Sequence, residues 1–349
     1  MRDFSCACGQ TLYFENTICN ACERRLGYDP FLAELLTLEP EKEDEESPEG
    51  LWRDVANGKL YHRCSNDQEF QVCNWLVESP EEGFCLACSL NDTVPEVDSG
   101  YREAQRRKWW GRMESSKRRL LYSLLSLGLP VQNKAENEAG LAFSFLEDQR
   151  SNPHVDEKHV LTGHLEGLIT VNLAEADGVN REQTRQNLGE SYRTLLGHFR
   201  HESGHYYFDK LMNTPEALSE FRELFGDERE DYEEALERHY ARDPNDADSD
   251  KVSAYAQMHP HEDWAECWAH YLHMTDCLET AAQVGLLQVA LIKPKQEPDI
   301  ELCIQNWDHI SVAINALNRS MGLQDAYPFV LSETTLKKLR FVHQRIYPS

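Results

Sequence analysis

The chain has 349 residues, 40% of them hydrophobic, enough for a sizeable core and about two domains. Its formal net charge of -26 gives an acidic surface that repels nucleic acid and anionic membranes, so a nucleic-acid role would need a local basic patch. No window approaches the roughly 18 apolar residues of a membrane span, and Met1-Arg-Asp-Phe-Ser-Cys6 has no apolar leader core, so a cytoplasmic protein without a membrane partner is expected.

Eleven cysteines, an odd number with eight before residue 90, argue for zinc rather than a disulfide framework in a reducing compartment. Cys6-Ala-Cys8 and Cys19-Asn-Ala-Cys22 form Cys-x-Cys, ten residues, Cys-x-x-Cys. Such knuckles place two thiolates on one tight turn, and a facing pair closes a tetrahedron around a structural zinc. Cys64, Cys73, Cys85 and Cys88 supply a second quartet with a looser first pair, for which zinc is favoured over a redox or metal-free Cys85/Cys88 pair. A site of four sulfurs has no open position and staples a small domain rather than catalysing. Between the quartets, the acidic stretch from Leu38 to Gly50 cannot bury a core and reads as a solvated linker.

Over residues 101–125, Arg102, Arg106, Arg107, Lys108, Arg112, Lys117, Arg118 and Arg119 interleave with Trp109, Trp110 and an apolar run from Leu120. This predicts a helix with a basic face, ended by Gly128-Leu-Pro130. Such a face can meet a phosphate-bearing partner, but in so acidic a chain it more often pairs with the protein's own carboxylates. His159 to Leu173 predicts a short hairpin with turns at Thr162-Gly163 and Glu166-Gly167. Beside a zinc centre, an edge strand there can pair with an extended substrate backbone.

A helix is expected from about Arg181 to Met212, with Leu188, Tyr192, Leu195, Leu196 and Phe199 at helical spacing and Asn213-Thr-Pro215 as a stop. It carries His201-Glu202-Ser-Gly-His205. The four-residue gap puts both imidazoles on one face, where they can share a zinc, and Glu202 beside it can act as general base toward an activated water. Phe208 and Leu211 stand where the metzincin pattern needs Gly and His, so the third ligand should be a later carboxylate. Glu223, with Asp227 a turn on, is one candidate. The other is Glu262, which a helix starting at Pro260 places on one face with Glu266 and His270. His198, His259, His261, His270 and His273 are expected to pack or support. Residues 215–241 should be helical and acidic, and Asp243 to Asp250 a solvated loop without the Gly and Glu of a calcium hand. Residues 263–289, 302–318 and 335–346 continue as apolar-striped helices, with Cys267, Cys277 and Cys303 as core thiols.

Tyr255-x6-Glu262-x3-Glu266, following His201-Glu-x-x-His205, resembles the gluzincin arrangement in the catalytic domain of anthrax lethal factor. Over nearly its full length, through Thr162-Gly-His164, Glu175-Ala-Asp177, the run from Tyr192 to Tyr207 and Glu262-Asp-Trp-Ala-Glu266, the chain resembles a bacterial family of zinc-binding metallopeptidases with an N-terminal zinc ribbon. The resemblance implies that Glu262 is the third ligand, that Tyr255 hydrogen-bonds the developing oxyanion and that Glu266 orients a ligand histidine. The expected fold is α+β: a zinc-ribbon region over 1–95 and a mostly helical, zincin-type metallopeptidase domain with a small sheet over 96–349. One catalytic Zn2+, one or two structural Zn2+ and a peptide or protein substrate go with it. The alternatives are a zinc-ribbon adaptor or binding protein with an inactive peptidase domain, and a different zinc hydrolase.

Overall fold

Short strands joined by tight turns open the computed structural model, which describes residues 2–41, 50–79, 82–98, 100–187, 193–241 and 250–348. The fold is α+β, and the chain divides into two compact units: Met1–Leu125, Pro130–Gly163 and Gly167–Gly178 in one, Ser126–Leu129, His164–Glu166 and Val179–Ser349 in the other.

In the first unit, β1 (Phe4–Ser5) pairs with β2 (Thr11–Leu12). An antiparallel sheet then runs in chain order through β3 (Arg25–Asp29), β4 (Glu34–Pro40), β5 (Leu51–Asp54), β6 (Leu60–Arg63) and, after the short helix α1 (Ser65–Phe70), β7 (Leu76–Val77). The turn from β3 to β4 is set by Asp29, whose Oδ1 accepts from the backbone N–H groups of Phe31 and Leu32 while its Oδ2 accepts from the buried Tyr61 hydroxyl. The first residues of the stretch expected as a linker from Leu38 belong to a strand instead. Leu38 is buried, and Leu38, Glu39 and Pro40 complete β4 by pairing with Asp54, Arg53 and Trp52; residues 42–49 lie outside the described residues.

Next come β8 (Asn91–Thr93) and α2 (Glu103–Ser126). Much of the basic face of α2 is consumed internally, although Lys108 and, just before the helix, Arg102 are exposed. Arg106 forks onto Glu147, Lys117 and Glu114 form a fully buried pair, Arg118 donates to the Val72 carbonyl at 2.7 Å, and Arg119 pairs with Glu15. A buried cation needs such a partner, which outweighs any gain from an external phosphate. Strand β9 (Ala142–Leu146) then pairs in parallel with both β8 and β11 (Leu168–Asn172). The predicted hairpin is present as β10 (Gly163–Leu165) and β11, joined by Glu166 and Gly167, both with positive φ as a two-residue turn requires. The loop before it is clamped by Asp148, which is fully buried and accepts from the Arg150 guanidinium, Val160 N–H and the Asn172 amide.

The second unit is helical, and its motif helix is shorter than expected. In place of one helix from about Arg181 to Met212 there are α3 (Gly178–Asn187) and α4 (Leu195–Leu211), with residues 188–192 outside the described residues. The physical reason is a cap: Thr194 is extended, and its hydroxyl accepts from Gly197 N–H at 3.0 Å, satisfying a free donor of the new helix. Helices α5 (Pro215–Phe225), α6 (Tyr232–Tyr240), α7 (Pro260–Gln283), α8 (Ile300–Ser320) and α9 (Glu333–Ile346) follow, and a 3-10 turn, Tyr255–Gln257, precedes α7. The acidic loop expected at Asp243 to Asp250 falls almost wholly at 242–249, outside the described residues. Cys267 and Cys303 are buried as expected of core thiols, and Cys277 is half-buried. Among the described residues no helix is long and apolar enough to cross a membrane.

Helices α4 and α7 touch through Gly204. A Cβ added there would stand 2.9 Å from Ala265 Cα and 3.2 Å from Trp268. Two indoles lock the contact, Trp264 donating to the Gly204 carbonyl at 2.8 Å and Trp268 to Ser203 Oγ at 3.0 Å. On the far side of α7, Asp263 is fully buried and accepts from Lys338 of α9 at 2.7 Å and from Lys251 at 2.6 Å.

Replacing Gly204 by Ala would add about 0.5–1 kcal/mol to an exposed helix; here the added methyl meets backbone, and chemical denaturation should show a loss of about 1–3 kcal/mol instead. Burial alone would raise the Asp148 carboxyl, but its donors draw it down to about 2. Its contribution is therefore complete above the ordinary carboxylate value of about 4 and disappears as pH falls toward 2. Asp148→Asn should cost about 2 kcal/mol at neutral pH, and the difference from the parent protein should shrink in acid.

Candidate metal centre

Three groups of metal-binding side chains converge among the described residues: Cys6, Cys8, Cys19 and Cys22; Cys64, Cys73, Cys85 and Cys88; and His201, His205 and Glu262. Within each, the ligand atoms lie within 4.8 Å of one another.

Four thiolates at about 2.3 Å from zinc stand about 3.8 Å apart in a tetrahedron. The sulfurs of Cys6 and Cys22 are 3.6 Å apart and those of Cys8 and Cys19 3.7 Å. Cys73 Sγ lies 3.6 Å from Cys85 and 3.7 Å from Cys88. All eight thiols are free of disulfides. Both quartets therefore fit the ion. Thr37 Oγ1 donates toward Cys6 Sγ and Trp75 N–H toward Cys73 Sγ, contacts that suit thiolates. The second quartet is wholly buried, and four thiolates around a dication leave two negative charges there. Arg118 answers them: burial works against its charge, but Cys73, Glu114, Cys88 and Cys85 hold the guanidinium protonated.

The third group lies where α4 meets α7. His201 and His205 sit one turn apart on α4, with Nε2 atoms 3.2 Å apart, and Glu262 enters from the first turn of α7. That turn starts at Pro260 because His259 is extended and caps it, its Nδ1 accepting from His261 N–H at 3.1 Å. Glu262 Oε2 lies 2.9 Å from His201 Nε2 and 3.5 Å from His205 Nε2. Nitrogen and oxygen ligands at about 2.0–2.1 Å from a tetrahedral ion stand about 3.3–3.4 Å apart, so this set fits zinc as well. Glu223, the other carboxylate candidate, is exposed on α5 and outside the cluster.

The surroundings are polar and directed. Glu266 Oε1 lies 2.7 Å from His201 Nδ1, and although burial would raise this carboxyl, His201 draws it down to about 2. Glu202 is half-buried, and burial pushes its carboxyl up against the downward pull of His201 and His205. Tyr255, exposed on the 3-10 turn, lies with its ring centroid 5.6 Å from that of His201. Burial of its hydroxyl and the charge of Glu262 push that phenol up, so it stays a donor at neutral pH. His164, on β10, stacks over His205 with ring centroids 6.3 Å apart and planes at 13°. The other nearby histidines do different work: His259 also donates to the Glu230 carbonyl, His261 packs on Phe208, and His270 bonds Tyr327 at 2.7 Å.

Tyr232 was not singled out by its sequence context. Its hydroxyl donates to Glu262 Oε1 at 3.0 Å, across 30 residues with no periodic relation between the two. An aromatic just after Asp231, which caps α6 by accepting from Glu234 N–H, is the one local sign of a fixed side chain there.

No solved structure matches the chain. Uncharacterised proteins of Mycobacterium tuberculosis (strain ATCC 25618 / H37Rv) and Mycobacterium bovis (strain ATCC BAA-935 / AF2122/97) are each 42% identical to it over 351 residues, covering 98% of this chain and 94% of theirs. A zinc-ribbon domain model matches residues 3–99, and the model described as "Putative zinc-binding metallo-peptidase" matches residues 106–345. The chain belongs to this zinc-binding metallopeptidase family, with a zinc-ribbon domain in its N-terminal part.

Proposed function

We propose that His201, His205 and Glu262 hold a catalytic zinc ion of gluzincin type, that each cysteine quartet holds a structural one, and that the protein hydrolyses peptide bonds. The observation that carries this reading is the meeting of two imidazole nitrogens and one carboxylate oxygen at tetrahedral spacing, with Glu202 next to them. Bound there, zinc supplies a Lewis acid and brings the pKa of a water ligand to about 7.

The chain's own residues do the rest. Glu202 accepts a proton from the attacking water as its oxygen joins the scissile carbonyl carbon, and returns it to the amine nitrogen when the C–N bond breaks. Burial raises its affinity for a proton, which suits that exchange. Tyr255 donates to the carbonyl oxygen as charge builds there, and a phenol held protonated can do so without changing its own charge. Glu266 fixes the ring of His201 through Nδ1, leaving Nε2 for the ion. The substrate is a peptide or protein, and the free thiols suit a reducing compartment, the cytoplasm.

Elemental analysis should give about three zinc ions per chain, and about two after His201→Ala with His205→Ala; an unchanged count would end the reading. Glu202→Gln should keep all its zinc and lose at least about 100-fold in hydrolysis of a peptide library. Tyr255→Phe should lower kcat by about 100-fold with KM little changed. Full turnover in the Glu202→Gln protein would leave the general base unassigned, and zinc binding without hydrolysis in the parent protein would favour an adaptor.

A further inference from the structure

The two oxygens of Glu262 have different partners. Oε2 faces the Nε2 atoms of His201 and His205, whereas Oε1 accepts the Tyr232 hydroxyl at 3.0 Å. Glu262 is only 3% exposed, so neither oxygen has free access to bulk water. A carboxylate can bind a metal through one oxygen or both, and which of these it does decides how many positions remain for water and substrate.

Tyr232 is held independently of Glu262. It opens α6, whose start is fixed by the Asp231 cap on Glu234 N–H at 2.9 Å. One residue further back, the Glu230 carbonyl accepts from His259 Nε2 at 3.1 Å. His259 is the N-cap of α7, and its ring lies against that of Tyr232 with centroids 5.5 Å apart. The beginning of α6 is thus pinned to the first turn of α7, the turn that carries Glu262. A hydroxyl delivered from so constrained a place restrains the carboxylate's rotation rather than following it.

We propose that Tyr232 is a positioning residue for the metal site: its hydroxyl occupies Glu262 Oε1, so that the carboxylate ligates through Oε2 alone and a coordination position stays open. The inference rests on the zinc reading above. Loss of the hydroxyl frees Glu262 to swing and to offer both oxygens, which weakens the set geometry and crowds the open position.

The test uses the full-length protein with the metal alone. Zinc affinity at the histidine site is measured by chelator competition in the parent, Tyr232→Phe and Tyr232→Leu proteins. Cobalt is then placed in that site after selective chelation, and its visible absorption reports coordination number. Tyr232→Phe should bind zinc about 10–100-fold more weakly, with the thiolate-bound zinc retained and the thermal midpoint unchanged. Its cobalt bands should weaken, as a rise above four-coordination predicts, and Tyr232→Leu should behave alike. Parental affinity in Tyr232→Phe overturns the proposal. So does weakening with an unchanged cobalt spectrum, or weakening that tracks a fall in thermal stability, because either marks a role in folding rather than in ligand choice. A parent protein that holds only the thiolate-bound ions would sink the zinc reading itself, an outcome distinct from these.

Discussion

The two helices that carry the candidate ligands meet at Gly204, and the missing side chain there permits the contact. Ala265 Cα and Trp268 occupy the space where a Cβ would stand, and the indoles of Trp264 and Trp268 tie α7 to the Gly204 carbonyl and the Ser203 hydroxyl. His201 and His205 bracket this contact on α4, as Glu262 and Glu266 do on α7. The four side chains therefore inherit their spacing from backbone packing, not from flexible reach. An interior packed at crystal-like density resists the small shifts that would separate ligand atoms.

The surrounding charges follow from that packing. With α7 buried on most sides, each of its acids must be answered. Glu262 and Glu266 are answered by the histidines, and Asp263, turned away from them, by Lys338 and Lys251. Elsewhere the same demand absorbs part of the basic face of α2, where Glu147, Glu114 and Glu15 take Arg106, Lys117 and Arg119. Arg118 stands apart from these pairs because it faces the sulfurs of Cys73, Cys85 and Cys88. Among the described residues, Arg106, Lys117, Arg118, Arg200 and Lys338 are buried, and each faces an acidic group or a cysteine cluster.

What the sequence discloses depends on how far apart the interacting residues are. The pair His201 and His205, the knuckles at Cys6/Cys8, Cys19/Cys22 and Cys85/Cys88, and the start of α7 at Pro260 are all fixed within one turn, so spacing alone reveals them. The choice between Glu223 and Glu262 is not local. Both are carboxylates on helices, and only tertiary packing brings one to the histidines. The break before Thr194 was hidden because the apolar spacing from Leu188 to Phe199 is continuous while a single hydroxyl decides where the helix begins. Leu38 to Pro40 differ in the opposite sense, since the acidic composition that reads as a linker does not keep these three residues from completing β4. Tyr232 was invisible for the plainest reason: nothing in a sequence marks one tyrosine among 14 as the neighbour of a glutamate 30 residues away.

The sequence span of each cluster also bears on how the molecule comes to be assembled. Cys6 and Cys22 are 16 residues apart, whereas His201 and Glu262 are 61 apart, and Asp263 depends on Lys338, 75 residues away. Closing the longer loop costs about 1 kcal/mol more in chain entropy than closing the shorter, and that cost falls before any contact repays it. The first cysteine cluster can therefore assemble from a largely unfolded chain, early and locally. The histidine cluster must wait until α4, α7 and α9 have docked. A chain interrupted midway through folding would have its N-terminal cysteine cluster and no complete histidine site, so whatever chemistry the histidine site supports must wait for the finished fold.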